Sequence, residues 1–400
     1  MSKQTVLVLA STFPRWKRDS EPRFIYDLCN HINERFELIV LAPHCRGAAS
    51  EEQFGRLRVK RFRYAPEQFE KLAYEGGIAA KLGRYPWYWL LVPWFFLGQL
   101  IATIKIIKSY DVTVIHAHWL IPQGLIAVLA KKLSRSSLPI LCTSHGGDLY
   151  GFQDQLSLYL KTFVLKHCEQ LTVVSKPMVD VVRRLDSNVA IKIMPMGVDL
   201  QSKFTPSHSI RPHPEEILFV GRLVEKKGLK LLLAAMPQVL EAYPDTRLRI
   251  IGDGPLRDQL TSQVDALGLR SEVSFLGRCI HSELVTHLHS AAMVVLPFSV
   301  AVGGDMEGLG LTIVEAMGCE TPVIIGDVPA IHDVVQHGQH GVIVNPESKE
   351  ALANAVIALR DSPQKARKMA RSGRQRALQI YDWQVVGERY SELLTDISGH

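Results

Sequence analysis

Ile217-Leu218-Phe219-Val220-Gly221-Arg222-Leu223-Val224-Glu225-Lys226-Lys227-Gly228 decides the fold: an unbroken apolar run, a glycine where it stops, and cations directly beyond. Four consecutive apolar residues leave no polar face for water, so this run reads as a strand covered on both sides, as strands of parallel sheets are. Short apolar runs rich in Val, Ile and Leu follow at 248–251, 273–276, 294–296, 323–325 and 342–344. An earlier series stands at 6–10, 38–41, 112–115, 140–143 and 171–174. Helix-like stretches separate them, an alternation that means doubly wound α/β architecture built on parallel sheets.

Two series in one chain imply two domains, and 400 residues exceed the ~100 to 200 residues usual for one. The segment 201–214, with Pro206, Ser207, Ser209, Pro212 and Pro214, reads as a linker. The expected division is a first domain over 1–205, a second over 206–380, and a closing amphipathic helix within 381–400 that packs back on the first domain. Composition is that of a folded globular chain: 47% hydrophobic, 22% charged, 28 Gly and 21 Pro.

The net charge of +6 is unevenly spread. Residues 1–200 hold 26 Lys and Arg against 17 Asp and Glu, and residues 201–400 hold 20 against 23. Two clusters stand out in the first half: Arg15, Lys17, Arg18 and Arg23, then Arg56, Arg58, Lys60, Arg61 and Arg63. They suit either an anionic membrane surface or a phosphorylated partner, or, for the second cluster, a solvated edge-strand face defended by charge. Nucleic acid is not expected, because no aromatic-interleaved basic motif accompanies the charge. Six scattered cysteines without a C-x-x-C pair argue against zinc or a disulfide framework, and the five-residue apolar run at 6–10 is too short for a signal sequence. A cytoplasmic protein is the expectation. Residues 85–104 carry no charge over twenty positions, but Pro93, Gly98 and Gln99 interrupt them, and Trp87, Tyr88, Trp89 and Trp94 suit an interfacial anchor better than a crossing. Peripheral membrane contact through 85–108 stands against a helix buried on the first sheet.

Gly252-Asp253-Gly254 and Gly308-Leu309-Gly310 each lack the third glycine of a dinucleotide fingerprint, and no phosphate-binding G-x-x-x-x-G-K-[ST] loop occurs. The informative stretch is Gly303 through Gly318, where a glycine-rich loop opens a helix whose first N–H groups and dipole suit phosphate. Glu307 stands at the mouth of that cradle. Glu315, one to two turns inside, can accept from two neighbouring ribose hydroxyls. Arg222 and Lys227 add two cations for a diphosphate, where fixed charge helps most as negative charge develops on a departing group. Asp305-Met306-Glu307 also admits a D-x-D metal reading, in the wrong context; Arg222, Lys227 and Glu315 are otherwise surface charges and His145 a structural histidine.

The pairing of Gly-Arg-Leu-x-x-x-Lys-Gly with Glu-Gly-x-Gly-Leu-x-x-x-Glu-Ala-Met resembles the family 4 glycosyltransferases of the GT-B fold. So do Thr12-Phe13-Pro14, His116-Ala117-His118, Thr143 through Asp148, Met196 through Asp199, Gly252 through Pro255 and the Trp383 helix, in that order. The resemblance implies two Rossmann-like domains facing a cleft and a retaining reaction without a metal ion or cofactor. It implies that Arg222 and Lys227 bind the donor diphosphate, Glu315 the ribose, Glu307 the transferred sugar, and the amides of Leu309, Gly310 and Leu311 the phosphates. Gly277 and Arg278 would meet the base through backbone, and His145, with Asp148 beside it, would lie near the sugar. Many relatives carry paired glycines in the loop after the first strand; here Asp19-Ser20-Glu21-Pro22 stands there, and Asp19 or Arg23 becomes a candidate acceptor contact.

The expected partners are a UDP- or GDP-linked sugar and a glycan or polyprenyl-diphosphate-linked acceptor of cell-surface polysaccharide synthesis, at the inner face of the cytoplasmic membrane. The same fold also serves phosphorylases, nucleotide-sugar epimerases and non-catalytic sugar-nucleotide scaffolds. Intact charge at Arg222, Lys227, Glu307 and Glu315 speaks against the last.

Overall fold

The apolar runs form the centres of two separate sheets in a computed structural model, which describes residues 3–399 other than 17, 18, 20, 187 and 208, and omits the side chains of 79, 80, 281 and 282. Lys17, Arg18 and Ser20 of the first-loop readings therefore lie outside the described residues.

In the first sheet the strands are β1 (Thr5–Leu9), β2 (Glu37–Pro43), β3 (Glu51–Phe54), β4 (Leu57–Phe62), β5 (Val112–His118), β6 (Ile140–Ser144), β7 (Gln170–Val173) and β8 (Ile191–Ile193). Their order is β3-β4-β2-β1-β5-β6-β7-β8, parallel throughout except for β3 against β4. The second sheet, β9 (His213–Val220), β10 (Arg247–Ile251), β11 (Val273–Gly277), β12 (Ala291–Leu296), β13 (Val323–Gly326) and β14 (Val342–Val344), is wholly parallel in the order β11-β10-β9-β12-β13-β14. Both begin at an inner strand, run outward, then return to its other side. The reversals fall between β1 and β5 and between β9 and β12, and ligand sites of such sheets open beyond the strand ends at these points.

The side chains of 6–10 and 38–42 are fully or almost fully removed from water, as two-sided coverage requires. The strands that the apolar pattern does not reveal are β3, β4 and β8. β4 alternates buried Leu57 and Val59 with half-buried Arg58 and Lys60, a one-sided strand. Its cations are answered locally: Arg58 lies 4.0 Å from Glu37, Lys60 2.8 Å from Glu51, Arg61 2.7 Å from Glu52 and Arg63 3.0 Å from Glu70. The edge-strand reading of this cluster is corrected in one respect: β4 lies inside the sheet between β3 and β2, and four of the five cations are answered by carboxylates.

The chain divides into one unit of 1–196 with 386–400 and another of 197–385, not at 205 and 380 as the proline-rich segment suggested. The nine residues 197–205 are docked on the second unit by their backbone. Leu200 N–H donates to Asp382 at 3.3 Å, and the Arg374 guanidinium donates to Leu200 and Phe204 carbonyls at 3.0 and 3.1 Å. Trp383 stands so close to Gly197 that a Cβ there would lie 2.5 Å from its ring. The helix Trp383–Ser398 starts in that unit and ends in the first, where Tyr390 is wholly buried.

Candidate donor and acceptor sites

In the second unit, the strand ends beside the reversal bring most of the sequence candidates together. Arg222 follows β9, and the short turn Glu225–Lys227 carries Lys226 and Lys227. Gly228 (φ +69°) closes that turn against the chain leaving β12, where any Cβ would sit 1.7 Å from the Pro297 carbonyl oxygen. Only glycine permits this approach. As a result Lys227 Nζ lies 2.6 Å from Glu307 Oε2 and 4.6 Å from the Phe298 ring centre, while Lys226 Nζ lies 3.0 Å from Asp305 Oδ1. The loop is further held by Ser299 N–H donating to the Lys226 carbonyl at 3.0 Å.

Lys227 and Glu307 each expose only 15% of their side chains. Burial alone would raise the Glu307 pKa; the charges of Lys227 and Lys226, the Lys227 hydrogen bond and the Gly310 N–H outweigh it and hold the carboxyl below its ordinary value. Both carboxylates of Asp305-Met306-Glu307 thus answer ammonium groups, which is unlike the D-x-D metal arrangement. Lys226 and Asp305 are the partners that motif reading missed; the doubled lysine was the available signal.

Behind this loop runs the helix Leu311–Gly318, with Gly310 (φ +80°) at its N-cap. Its first N–H groups have no helical acceptor behind them. Leu309, Gly310 and Leu311 therefore stand where an anion would be met. Glu315 is half-buried in the second turn, and its charge reaches the Cys279 thiol, which burial and then Glu283 and Glu315 push up. Gly277 and Arg278 belong to the same β11 end as Cys279, so the expected ribose and base contacts converge. The residue Arg222 is exposed, yet partial desolvation of its guanidinium and then the Arg278 charge push its pKa down; it stays a cation. Arg278 itself lies 3.7 Å from Asp253. Glu315→Ala is expected to weaken nucleotide binding about tenfold, the loss of one well-placed hydrogen-bonding partner; equal affinity of variant and wild type in calorimetry would remove Glu315 from the site.

His145 belongs to the first unit, at the end of β6. Asp148 fixes it: Oδ1 accepts from Ser144 Oγ at 2.9 Å and His145 N–H at 3.2 Å, and Oδ2 from Leu120 N–H at 2.7 Å. Asp148 is buried, and its carboxylate is taken up by these three donors. The His145 ring lies among Phe24, Trp119 and His118, with centres 4.9, 5.1 and 5.2 Å away. Its Nε2 meets His118 Nδ1 at 3.0 Å. Below, His116 Nε2 meets Thr143 Oγ1 at 2.8 Å, and Tyr390 from the closing helix stacks on His116 at 5.8 Å. Among the described residues His118 Nε2 meets no partner, so a proton there would be an orphaned buried donor. The network accordingly assigns the proton to His118 Nδ1, which donates to His145 Nε2 and leaves the His145 proton on Nδ1.

Burial pushes His116 and His145 down to about 3, and His118 well below its ordinary value, with neighbouring histidines adding to the shift in His118 and His145. All three are neutral at physiological pH. Because the folded values are lowered, stability is fully present above about pH 6.5 and falls as pH drops below it, by up to about 1.4 kcal/mol per pH unit for each proton that unfolding takes up. Urea unfolding should show stability dropping between pH 7.5 and pH 5, with a shallower drop in His118→Gln. Equal slopes in the two proteins would contradict the buried neutral cluster.

The first loop departs from expectation. Asp19 is not turned toward an acceptor: Arg15 grips it through Nε and Nη2, both at 2.8 Å, and through its own N–H at 2.8 Å. Glu21 accepts from Thr12 at 3.1 Å and from Glu75 N–H at 2.6 Å. Asp19 and Glu21 are thus each engaged within the first unit. Arg23 lies over the Tyr26 ring at 4.7 Å and 3.6 Å from Asp27.

Two family descriptions match the chain nearly end to end: Glycosyltransferase Family 4 over residues 22–202 and Glycosyl transferases group 1 over 201–376. It is 30% identical over 289 residues to a glycogen synthase of Mycobacterium tuberculosis, covering 70% of this chain and 67% of that protein. It is 31% identical over 218 residues to a GDP-mannose-dependent alpha-(1-6)-phosphatidylinositol monomannoside mannosyltransferase of Mycolicibacterium smegmatis, covering 52% of this chain and 57% of that one. Among solved structures, the sucrose-phosphate synthase of Thermosynechococcus elongatus superposes with TM-score 0.81 at 20% identity, covering 99% of this chain and 100% of that one. Anabaena HepE in complex with UDP and glucose gives 0.75 at 18% identity, covering 98% and 100%. The chain belongs to the family 4 glycosyltransferases, nucleotide-sugar-dependent enzymes of the GT-B fold.

Proposed function

We propose that the chain moves a sugar from a UDP- or GDP-linked donor, with retention of configuration, to a glycan or polyprenyl-diphosphate-linked acceptor of cell-surface polysaccharide synthesis. The work is done in the cytoplasm, at the inner membrane face. The observation that carries the reading is the Lys227–Glu307 pair at 2.6 Å, held before the start of the helix that bears Glu315. The UDP and glucose named with HepE and the GDP-mannose in the mycolicibacterial enzyme's name support these two donor bases.

In this reading Glu315 accepts from the ribose hydroxyls, the base rests against Gly277 and Arg278, and the diphosphate meets Arg222, Lys227 and the amides of Leu309, Gly310 and Leu311. Glu307 orients the Lys227 ammonium beforehand and accepts from a hydroxyl of the sugar. The bond between the sugar C1 and the diphosphate oxygen breaks while the acceptor oxygen bonds to C1 on the same face. The acceptor proton passes to a departing phosphate oxygen. Charge grows on that phosphate as the bond opens, and the two fixed cations favour the transition state over the bound donor. His145, neutral and held by His118, supplies an uncharged imidazole near the sugar.

Proton NMR of the freshly formed glycoside tests the stereochemistry. A product with the donor's anomeric configuration supports the reading, and an inverted product overturns it. Release of sugar phosphate with inorganic phosphate as sole acceptor would instead make the chain a phosphorylase.

A further inference from the structure

The segment Pro86–Ser109 is long and apolar enough to cross a membrane, yet only 22% of its most apolar stretch is buried. It consists of the turn Pro86–Leu91 and the helix Val92–Ser109. One helix face is spoken for. Phe95, Gln99, Thr103 and Ile106, spaced by helical repeats, are buried, and Gly98 lets the backbone reach strand β4, since a Cβ there would lie 2.4 Å from the Arg63 carbonyl oxygen. The opposite stripe, Trp94, Leu97 and Ile101, is exposed, and it continues into exposed Lys105 and Lys108 one and two turns further. The turn before the helix adds exposed Trp87, Trp89 and Leu90; Leu90 is 75% and Trp94 60% exposed.

A water-facing stripe more apolar than the buried one reverses the usual order of a surface helix, and an apolar patch of this kind marks an interaction site. Charge selects the partner. No Asp or Glu occurs between Glu75 and Asp111, and Arg84, Lys105 and Lys108 are exposed within that span. Tryptophans favour the headgroup level, where their rings lie in the acyl boundary and the indole N–H stays wet, and nearby lysines meet anionic headgroups.

We propose that this face is a peripheral docking surface for an anionic lipid bilayer: Trp87, Trp89, Leu90 and Trp94 enter the interface, and Arg84, Lys105 and Lys108 lie at the phosphate level. The helix rests in the interface plane and does not cross it, because its other face is committed to the first sheet and the helices on it. The inference deepens the reading of a membrane-face enzyme, but its test does not depend on sugar transfer.

The full chain is sedimented with vesicles of phosphatidylcholine, with or without phosphatidylglycerol. Wild type should bind the phosphatidylglycerol vesicles at least about tenfold more tightly, and that preference should fade with salt. Trp87→Ala with Trp94→Ala should lower binding about tenfold or more while nucleotide affinity is unchanged, since two rings leave the interface. Lys105→Glu with Lys108→Glu, both exposed, should abolish the anionic preference while the far-ultraviolet circular dichroism and nucleotide affinity stay those of wild type. The proposal is overturned if wild type stays in the supernatant with every vesicle, if both variants bind as wild type does, or if the tryptophan variant instead dissolves a dimer, which would make the face a contact between copies.

Discussion

Lys227→Ala is expected to lower kcat by about 100-fold or more while changing the affinity for the free nucleoside diphosphate much less. The ammonium is held by the Glu307 carboxylate at 2.6 Å and by the face of Phe298, in surroundings from which most water is excluded. A fixed charge in such a place costs no reorganisation when the sugar departs, so its effect is concentrated on the transition state. The substitution also strips Glu307 of its nearest cation, leaving burial to raise its pKa, with Lys226 as the remaining ammonium. For that reason Lys227→Arg is the informative companion: it keeps the charge with a different shape and should recover part of the rate. Unchanged turnover in Lys227→Ala would show that the ion pair merely braces the loop.

His145→Ala should slow transfer about 100-fold and leave nucleotide binding intact, because His145 belongs to the unit that does not carry the donor residues. Its geometry is unusually constrained: Asp148 holds its backbone, three rings surround it, and His118 occupies its Nε2. Trp119 beside it has φ +76°, a region a tryptophan rarely adopts, and such strain persists where the surroundings over-determine it. His118→Gln should reproduce a fraction of the loss as a positioning effect: a lower kcat, a KM for the donor near that of wild type and a reduced pH sensitivity of stability. Normal rates in His145→Ala would return the residue to a purely structural role.

The doubly wound architecture was legible because buried parallel strands are largely apolar runs rich in Val, Ile and Leu, and each of the eleven runs lies in or overlaps a strand, even where Arg249 or Ser274 interrupts it. Strands β3 and β4 escaped because neither is a continuous apolar run: β3 is Glu51-Glu52-Gln53-Phe54, and β4 alternates apolar residues with arginine and lysine. The boundary slipped by nine residues because Pro206, Pro212 and Pro214 report local backbone restriction, whereas attachment of 197–205 is decided by Asp382 and Arg374 nearly two hundred residues away. The candidate donor residues stand in the sequence as types at a spacing; that Lys227 answers Glu307 and Lys226 answers Asp305 does not show there, since the pairs join positions about eighty residues apart. Asp19 looked available for an acceptor until Arg15, four residues back, was found to occupy both its oxygens.

The most direct test is calorimetric titration of the protein with UDP, GDP and ADP, repeated for Glu315→Ala. The account predicts one uridine or guanosine diphosphate bound clearly more tightly than the others, and weakened by the substitution. Binding of none, or equal binding in the variant, would contradict a nucleotide-sugar site at the start of the helix Leu311–Gly318.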